Sequence, residues 1–483
     1  MTTSLPASRG DALPAAAQRL RQEANQVAFD RLAKAEPVLV NVAPALSVVP
    51  SMDETTILTS GAPLPWERYT GGQRRAILYA AVYEGLAADA EAAQQAIDAG
   101  RIRVQSTQEH DCIGSVAGIY TASMPVLVVR NETAGNVAFC NLYEGESRRR
   151  LNYGSYGEDV RRGLQWLENT MGPLLAEALR RHGPLPLKPI MARALRLGDE
   201  LHSRNTAATM LLACEQSTTF MDLDKGPFAA ATREVVAFLA RNVRLSMAAA
   251  KATADAAHEV EHSSLLTGMA INCQDFAVRV SGLGNEWFRG QHPELEGQLF
   301  DGFAKDDVEW IGGESCVTET VGLGGFAQAC APTLQLYQGG SAEAMRRNNE
   351  AMFDITFGEH PDFGLPPLNF RGAPLGIDVF AVLDKGILPV IDGGLAGKDG
   401  GQIGAGVLRP SALPSTASSR QRGHTTTAMR QAARSDSLVY RWVNYLRGSR
   451  SSLSDEPRWR GVRPSWSSNC MPGRTTGDGG SNE

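Results

Sequence analysis

The chain has 483 residues, 43% hydrophobic and 21% charged, with a formal net charge of −6 and a pI near 5.9. That charge offers no basic surplus for nucleic acid, and no run of 18 apolar residues predicts a membrane span. Seven cysteines without CxxC spacing, behind an N-terminus with no apolar h-region, point to reduced thiols in the cytoplasm.

Residues 11–34 are rich in Ala, Gln, Arg and Leu and predict a helix, so 1–34 reads as an N-terminal helical extension. An α/β domain follows over 35–157, expected to be Rossmann-like. Its predicted elements are strands at Glu36–Val42 and Ile57–Thr59, one long helix over Gly72–Ala99, and strands at Val126–Val129 and Val137–Cys140. From 158 to 262 the apolar spacing is helical, as at Val160, Leu164, Leu167 and Met171, which predicts a helical domain. Strand-like runs return at Leu265–Asn272, Phe276–Val280, Ile377–Leu383 and Ile387–Ile391, giving a second α/β domain over 263–408. The expected fold class is therefore multidomain α/β. Residues 409–483 change character: lysine vanishes, serine and arginine make up about a third, and three of the seven tryptophans appear. This composition predicts a disordered tail or the product of a shifted reading frame.

Two polar stretches carry the chemistry. Gln108-Glu109-His110-Asp111-Cys112-Ile113-Gly114-Ser115 and Asp199-Glu200-Leu201-His202-Ser203-Arg204-Asn205-Thr206 crowd histidines and carboxylates together. Cores avoid such crowding because each buried polar group needs a partner, whereas loops that hold a polar ligand favour it. Capped turns are the plainer reading. Cys112, beside His110, reads as a small buried residue rather than a nucleophile. Arg148-Arg149-Arg150 marks a solvated surface unless one guanidinium turns inward to clamp an anion. No G-x-S-x-G elbow is present, and no Ser/His/Asp order stands out.

Three further motifs are weaker. His258-Glu259-Val260-Glu261-His262 fits H-E-x-x-H and would make a zinc hydrolase if helical, but it reads better as a helix C-terminal cap. Gly322-Leu323-Gly324-Gly325-Phe326-Ala327 fits G-x-G-x-x-A, with Cys316–Val321 as the strand it would need; an anion-holding helix start is preferred to a dinucleotide loop. Gly393-Gly394-Leu395-Ala396-Gly397-Lys398 fails as a P-loop and reads as a glycine nest or a hairpin turn. No cofactor or metal is expected.

Taken in order, Gln108–Pro125, Asn141–Tyr153, Leu187–Thr209, Val280–Phe288, Thr318–Phe326, Phe370–Val379 and Gly400–Gly406 resemble the YlbE-like, AllG-like family over about residues 35–408. The resemblance implies a subunit of an oxamate carbamoyltransferase, beside an FdrA-like and a further small subunit. The reaction it implies moves a carbamoyl group between carbamoyl phosphate and oxamate, making or breaking oxalurate in purine-nitrogen degradation. A non-catalytic scaffold subunit is the alternative. For such chemistry His110 and His202 are the proton-transfer candidates. Arg148, Arg204 and Arg371 would hold the small anions; Ser203, Asn205, Asn272 and Glu319 complete the candidate binding set. The Ser-Thr-Arg-Thr phosphate loop of the aspartate and ornithine transcarbamylases is missing, so any such site lies on different architecture.

Overall fold

The structure is a computed structural model that describes residues 15–239, 245–290, 292 and 295–408. The predicted tail at 409–483 lies outside the described residues. Among the described residues sixteen strands form five sheets: β1 (Pro37–Pro44), β2 (Thr56–Thr59), β3 (Arg103–Ser106), β4 (Cys112–Ile113), β5 (Pro125–Asn131), β6 (Val137–Asn141), β7 (Leu185–Pro186), β8 (Leu266–Ile271), β9 (Phe276–Val280), β10 (Trp287–Gly290), β11 (Leu295–Leu299), β12 (Val308–Glu309), β13 (Thr356–Leu365), β14 (Arg371–Ile377), β15 (Ile391–Gly397) and β16 (Gln402–Leu408).

The class is mixed α/β. The N-terminal sheet has the order β4-β6-β5-β1-β7, and of its four pairings only β4–β6 is parallel. A Rossmann-like arrangement is confined to β2 and β3, which pair in parallel and are joined through helices. Instead of one long helix at Gly72–Ala99, two run from Gly71 to Tyr83 and from Ala90 to Asp98. The break is local: Gly85 takes φ +77°, and Asp89 caps the second helix by accepting from the Ala92 amide at 2.8 Å.

Among the described residues of 158–262 helices predominate, as the spacing predicts, with the short β7 between two of them and the last helix ending at Ala256. The one at Leu245–Ala256 is buried at every position from 245 to 254, so it is a central rod rather than a surface helix. It packs on β5 and β6. The main core draws on residues from Ala28 to Leu375, across all three predicted regions. A second core, including Phe276, Val278, Phe326 and Ile391, lies under the β8–β10 and β15–β16 sheets.

Two apolar runs take other forms than expected. Ile377–Leu383 is split: β14 ends at Ile377 and a helix spans Val379–Lys385, begun by Asp378, which accepts from the Phe380 amide at 2.9 Å. Of Ile387–Ile391, only Ile391 is in a strand. Among the described residues no helix is long and apolar enough to cross a membrane.

Candidate functional site: a cleft where three regions meet

A cleft of about 720 Å³, counted to its open mouth, is walled by Tyr153 from the first region, His202 and Ser203 from the helical region, and Ser315, Asp392 and Gly394 from the last. Its floor depends on close backbone approach. A Cβ at Gly394 would sit 2.5 Å from the Tyr153 hydroxyl, and one at Gly312 2.5 Å from Ser60 Oγ.

His202 is the centre of this wall. Its Nδ1 lies 2.8 Å from Glu319 Oε1 and its Nε2 lies 2.7 Å from Ser315 Oγ. A carboxylate only accepts, so Nδ1 carries the proton and Nε2 is left to accept from the serine hydroxyl. Glu319 is fully buried and fixed in place. It accepts from the Gly325 amide at 3.0 Å, the Asp392 amide at 3.2 Å and the Thr318 hydroxyl at 3.0 Å. The order Ser315–His202–Glu319 is that of nucleophile, base and orienting acid. Ser315 is half-buried, and Ser203, whose Oγ accepts from Gln338 Nε2 at 3.2 Å, also lines the cleft.

A second feature is a carboxyl pair. Glu200 accepts from the amides of Ser203 and Arg204, the latter at 3.0 Å. Asp392 accepts from Gln328 Nε2 at 2.9 Å and shares a side-chain contact with Glu200. Burial pushes Asp392 well above the usual carboxylate range, and the neighbouring Glu200 and Glu319 push it further. Burial also raises Glu200, against the pull of His202 and the backbone amides. Glu200 has the amides that favour its charge, so Asp392 is the member that keeps the proton. The cleft thus offers a base and a neutral carboxylic acid side by side.

Other sequence candidates stand elsewhere. His110 is buried, with Nδ1 2.6 Å from the Pro50 carbonyl, and does not line the cleft. Its neighbourhood is structural: Glu109 and Ser106 form a capping box. Burial pushes the Cys112 thiol well above its normal value, as suits an inert core residue. Asn205 joins the His202 carbonyl at 3.2 Å to the Ser246 hydroxyl at 2.8 Å, so it positions the His202 loop. Asn272 ties the β8–β9 turn through the amides of Gln274 and Asp275. Arg204 reaches the Gly198 carbonyl at 3.0 Å and Asp199 at 3.4 Å. Arg371 pairs with Glu359 at 2.7 Å over the Phe353 ring, and Arg148 lies against Phe300 and Phe303. None of these arginines lines the cleft. Of the three adjacent arginines Arg150 turns inward. It donates to Tyr143 Oη and the Gly145 carbonyl, both at 2.9 Å, and covers Tyr153 at 4.4 Å.

The three short motifs resolve differently from their alternatives. The helix before His258 ends at Ala256, and Glu259 and His262 both take positive φ, so the two histidines do not share a helical face. Both nitrogens of His258 are engaged, by Thr267 and Asn285. Among the described residues no three His, Cys, Asp or Glu side chains group as metal ligands do. Val317–Thr320 is helical where a dinucleotide loop needs a strand. Gly393–Gly397 lie in β15, with Gly393 and Gly394 paired to Gly406 and Ala405, and the hairpin turn to β16 begins only at Lys398.

Fold and cleft together define a mixed α/β protein with a Ser–His–Glu relay in a cleft shared by three regions. The family described as oxamate carbamoyltransferase subunit AllG matches residues 102–315. The chain is 36% identical over 398 residues to oxamate carbamoyltransferase subunit AllG of Escherichia coli (strain K12), covering 80% of this chain and 94% of that one. It is 40% identical over 393 residues to the uncharacterized protein YahG of the same organism, covering 80% and 83%. Among solved structures, a conserved protein of unknown function from Enterococcus faecalis V583 superposes with a TM-score of 0.80 at 35% identity, covering 88% of this chain and 99% of that one. The chain belongs to the AllG family.

Proposed function

We propose that this chain supplies the acyl-transfer centre of an oxamate carbamoyltransferase, moving a carbamoyl group between carbamoyl phosphate and oxamate. Membership in the AllG family supports a subunit role. The observation that carries the chemistry is His202 held between Ser315 and Glu319 at 2.7 and 2.8 Å on a cleft wall. Carbamoyl transfer needs a base to take a proton from the attacking group and an acid to return one to the leaving group. His202 fills both roles in turn, taking the proton and handing it on.

The substrates are anions, yet among the described residues lining the cleft there is no arginine or lysine. The charge that holds phosphate and carboxylate is therefore assigned to the assembled enzyme, with the FdrA-like and further small subunits as its source. Arg148, Arg204 and Arg371 then serve the surface or the subunit contacts. Purine-nitrogen degradation in the cytoplasm is the setting that goes with this reading, and self-association of the chain is compatible with it.

The test is carbamoyl-phosphate-dependent formation of oxalurate from oxamate, by this chain alone and mixed with its partner subunits. Activity in the mixture, lost in His202→Ala, is the expected result. A mixture containing folded His202→Ala that works as well as wild type would make this chain a scaffold.

A further inference from the structure

We infer that Ser315 is a covalent carrier: the carbamoyl group rests on its Oγ between donor and acceptor. The inference rests on the carbamoyl-transfer reading above and adds to it a two-step path. Three observations carry it. Ser315 Oγ is within 2.7 Å of a ring nitrogen that the Glu319 contact leaves unprotonated. Ser315 and His202 both open on the cleft, so the hydroxyl is reachable from outside. Finally, the residue before it is anchored on all sides. The fully buried Glu314 carboxylate accepts from the Gly61 amide at 2.8 Å, the Thr107 hydroxyl at 2.7 Å, the Gln108 side chain at 2.8 Å and the Gly114 amide at 3.0 Å. A serine that only filled space would not need its backbone fixed in this way, whereas a nucleophile must meet its base at one geometry.

The step balances without a further reactant. Ser315 Oγ attacks the carbamoyl carbon of carbamoyl phosphate, and its proton passes to His202 Nε2. The carbon–oxygen bond to phosphate breaks, and the departing phosphate takes the proton. The amide nitrogen of oxamate then attacks the carbamoyl-serine and gives its proton to His202. The Ser315 ester bond breaks, Oγ recovers the proton, and oxalurate leaves. Run backwards, the same steps pass the carbamoyl group of oxalurate to phosphate.

The experiment incubates the full chain, together with its partner subunits, with carbon-labelled carbamoyl phosphate in the absence of oxamate. The protein is then quenched in acid and its peptides are mapped. The expected result is label on the peptide that holds Ser315, discharged as oxalurate when oxamate is added before the quench. Ser315→Ala should lose the label while keeping the wild-type circular dichroism spectrum, and Ser315→Cys should retain it as a thiocarbamate. Label at Ser315 with no oxalurate formed would keep the carrier and sink oxamate as the acceptor. Oxalurate formed by wild type with no label on protein, or formed undiminished by Ser315→Ala, would overturn the carrier and leave the transferase reading intact. A chain that neither labels nor turns over would remove both.

Discussion

Gln108 Nε2 donates to Glu314 Oε1 at 2.8 Å across 206 positions of sequence, and Gln108 Oε1 accepts from the buried Lys251 at 3.1 Å. One side chain thus joins the first region, the central helix and the segment that presents Ser315. The polar stretch that opens at Gln108 is a socket for the Glu314 carboxylate, not a ligand loop of its own.

That socket predicts a stability effect. Glu314→Ala leaves four donors facing a void: the Gly61 and Gly114 amides, the Thr107 hydroxyl and the Gln108 side chain. Each buried group left unpaired costs roughly 1–3 kcal/mol, so the variant should lose more than about 3 kcal/mol. Urea unfolding measures it. A loss within about 0.5 kcal/mol, the range of ordinary surface changes, would mean the carboxylate is not an anchor.

The relay predicts a rate effect separable from folding. His202→Ala in the assembled enzyme should lower kcat about 10²- to 10⁴-fold, the usual range for a general acid–base group. Glu319→Gln should also lower kcat, because an amide can present its NH₂ to Nδ1 and so favour the wrong tautomer. Steady-state kinetics on both variants, with KM for oxamate little changed, is the expected pattern. A change confined to KM would place these residues in binding alone.

Gly324 explains why the dyad tolerates no side chain beside it. Its φ is +60°, and a Cβ would fall 2.3 Å from Glu319 Oε1 and 2.9 Å from the His202 Cβ. Gly324→Ala should therefore push Glu319 off Nδ1 and add backbone strain of about 1–3 kcal/mol. The imidazole proton resonance of a hydrogen-bonded Nδ1–H, observed in wild type and absent in the variant, would report the break directly. A variant that kept both the resonance and the rate would show that the neighbours yield instead.

How much of this was legible in the sequence differs residue by residue. The sequence marks His202 as a candidate, because Asp199-Glu200-Leu201-His202-Ser203 crowds charges together, and offers Glu319 only as one member of the binding set. Ser315 was not legible. Its base, His202, lies 113 positions away, and no local elbow marks it. Asp392 was hidden in a glycine run whose function is close approach in a strand rather than a turn. The helix at Val379–Lys385 was missed because an apolar, β-branched run reads as a strand, and the cap that decides it is the single residue Asp378. His110 misled for the opposite reason: its polar neighbours satisfy backbone groups of their own turn. Contacts between distant segments carry the site, and single-sequence periodicity does not report them.

Asp199 gives a pH dependence with a definite sign. Burial lifts its pKa from 3.8 to about 7, and Glu200 adds to the rise, while the Ala208 and Ala207 amides and Arg204 pull the other way. The native state therefore binds the proton more tightly than the unfolded chain does. Its contribution to stability is full below the unfolded value and is lost as pH climbs toward the folded one. Asn at this position does not titrate, although its amide suits the Ala208 donor only through the oxygen. The stability difference between Asp199→Asn and wild type should move in favour of the variant from about pH 4 to about pH 7 and level off above. Urea unfolding of both proteins across that window checks it. A difference that stays flat with pH would mean that Asp199 is ionised throughout, and that Arg204, at 3.4 Å, outweighs the burial.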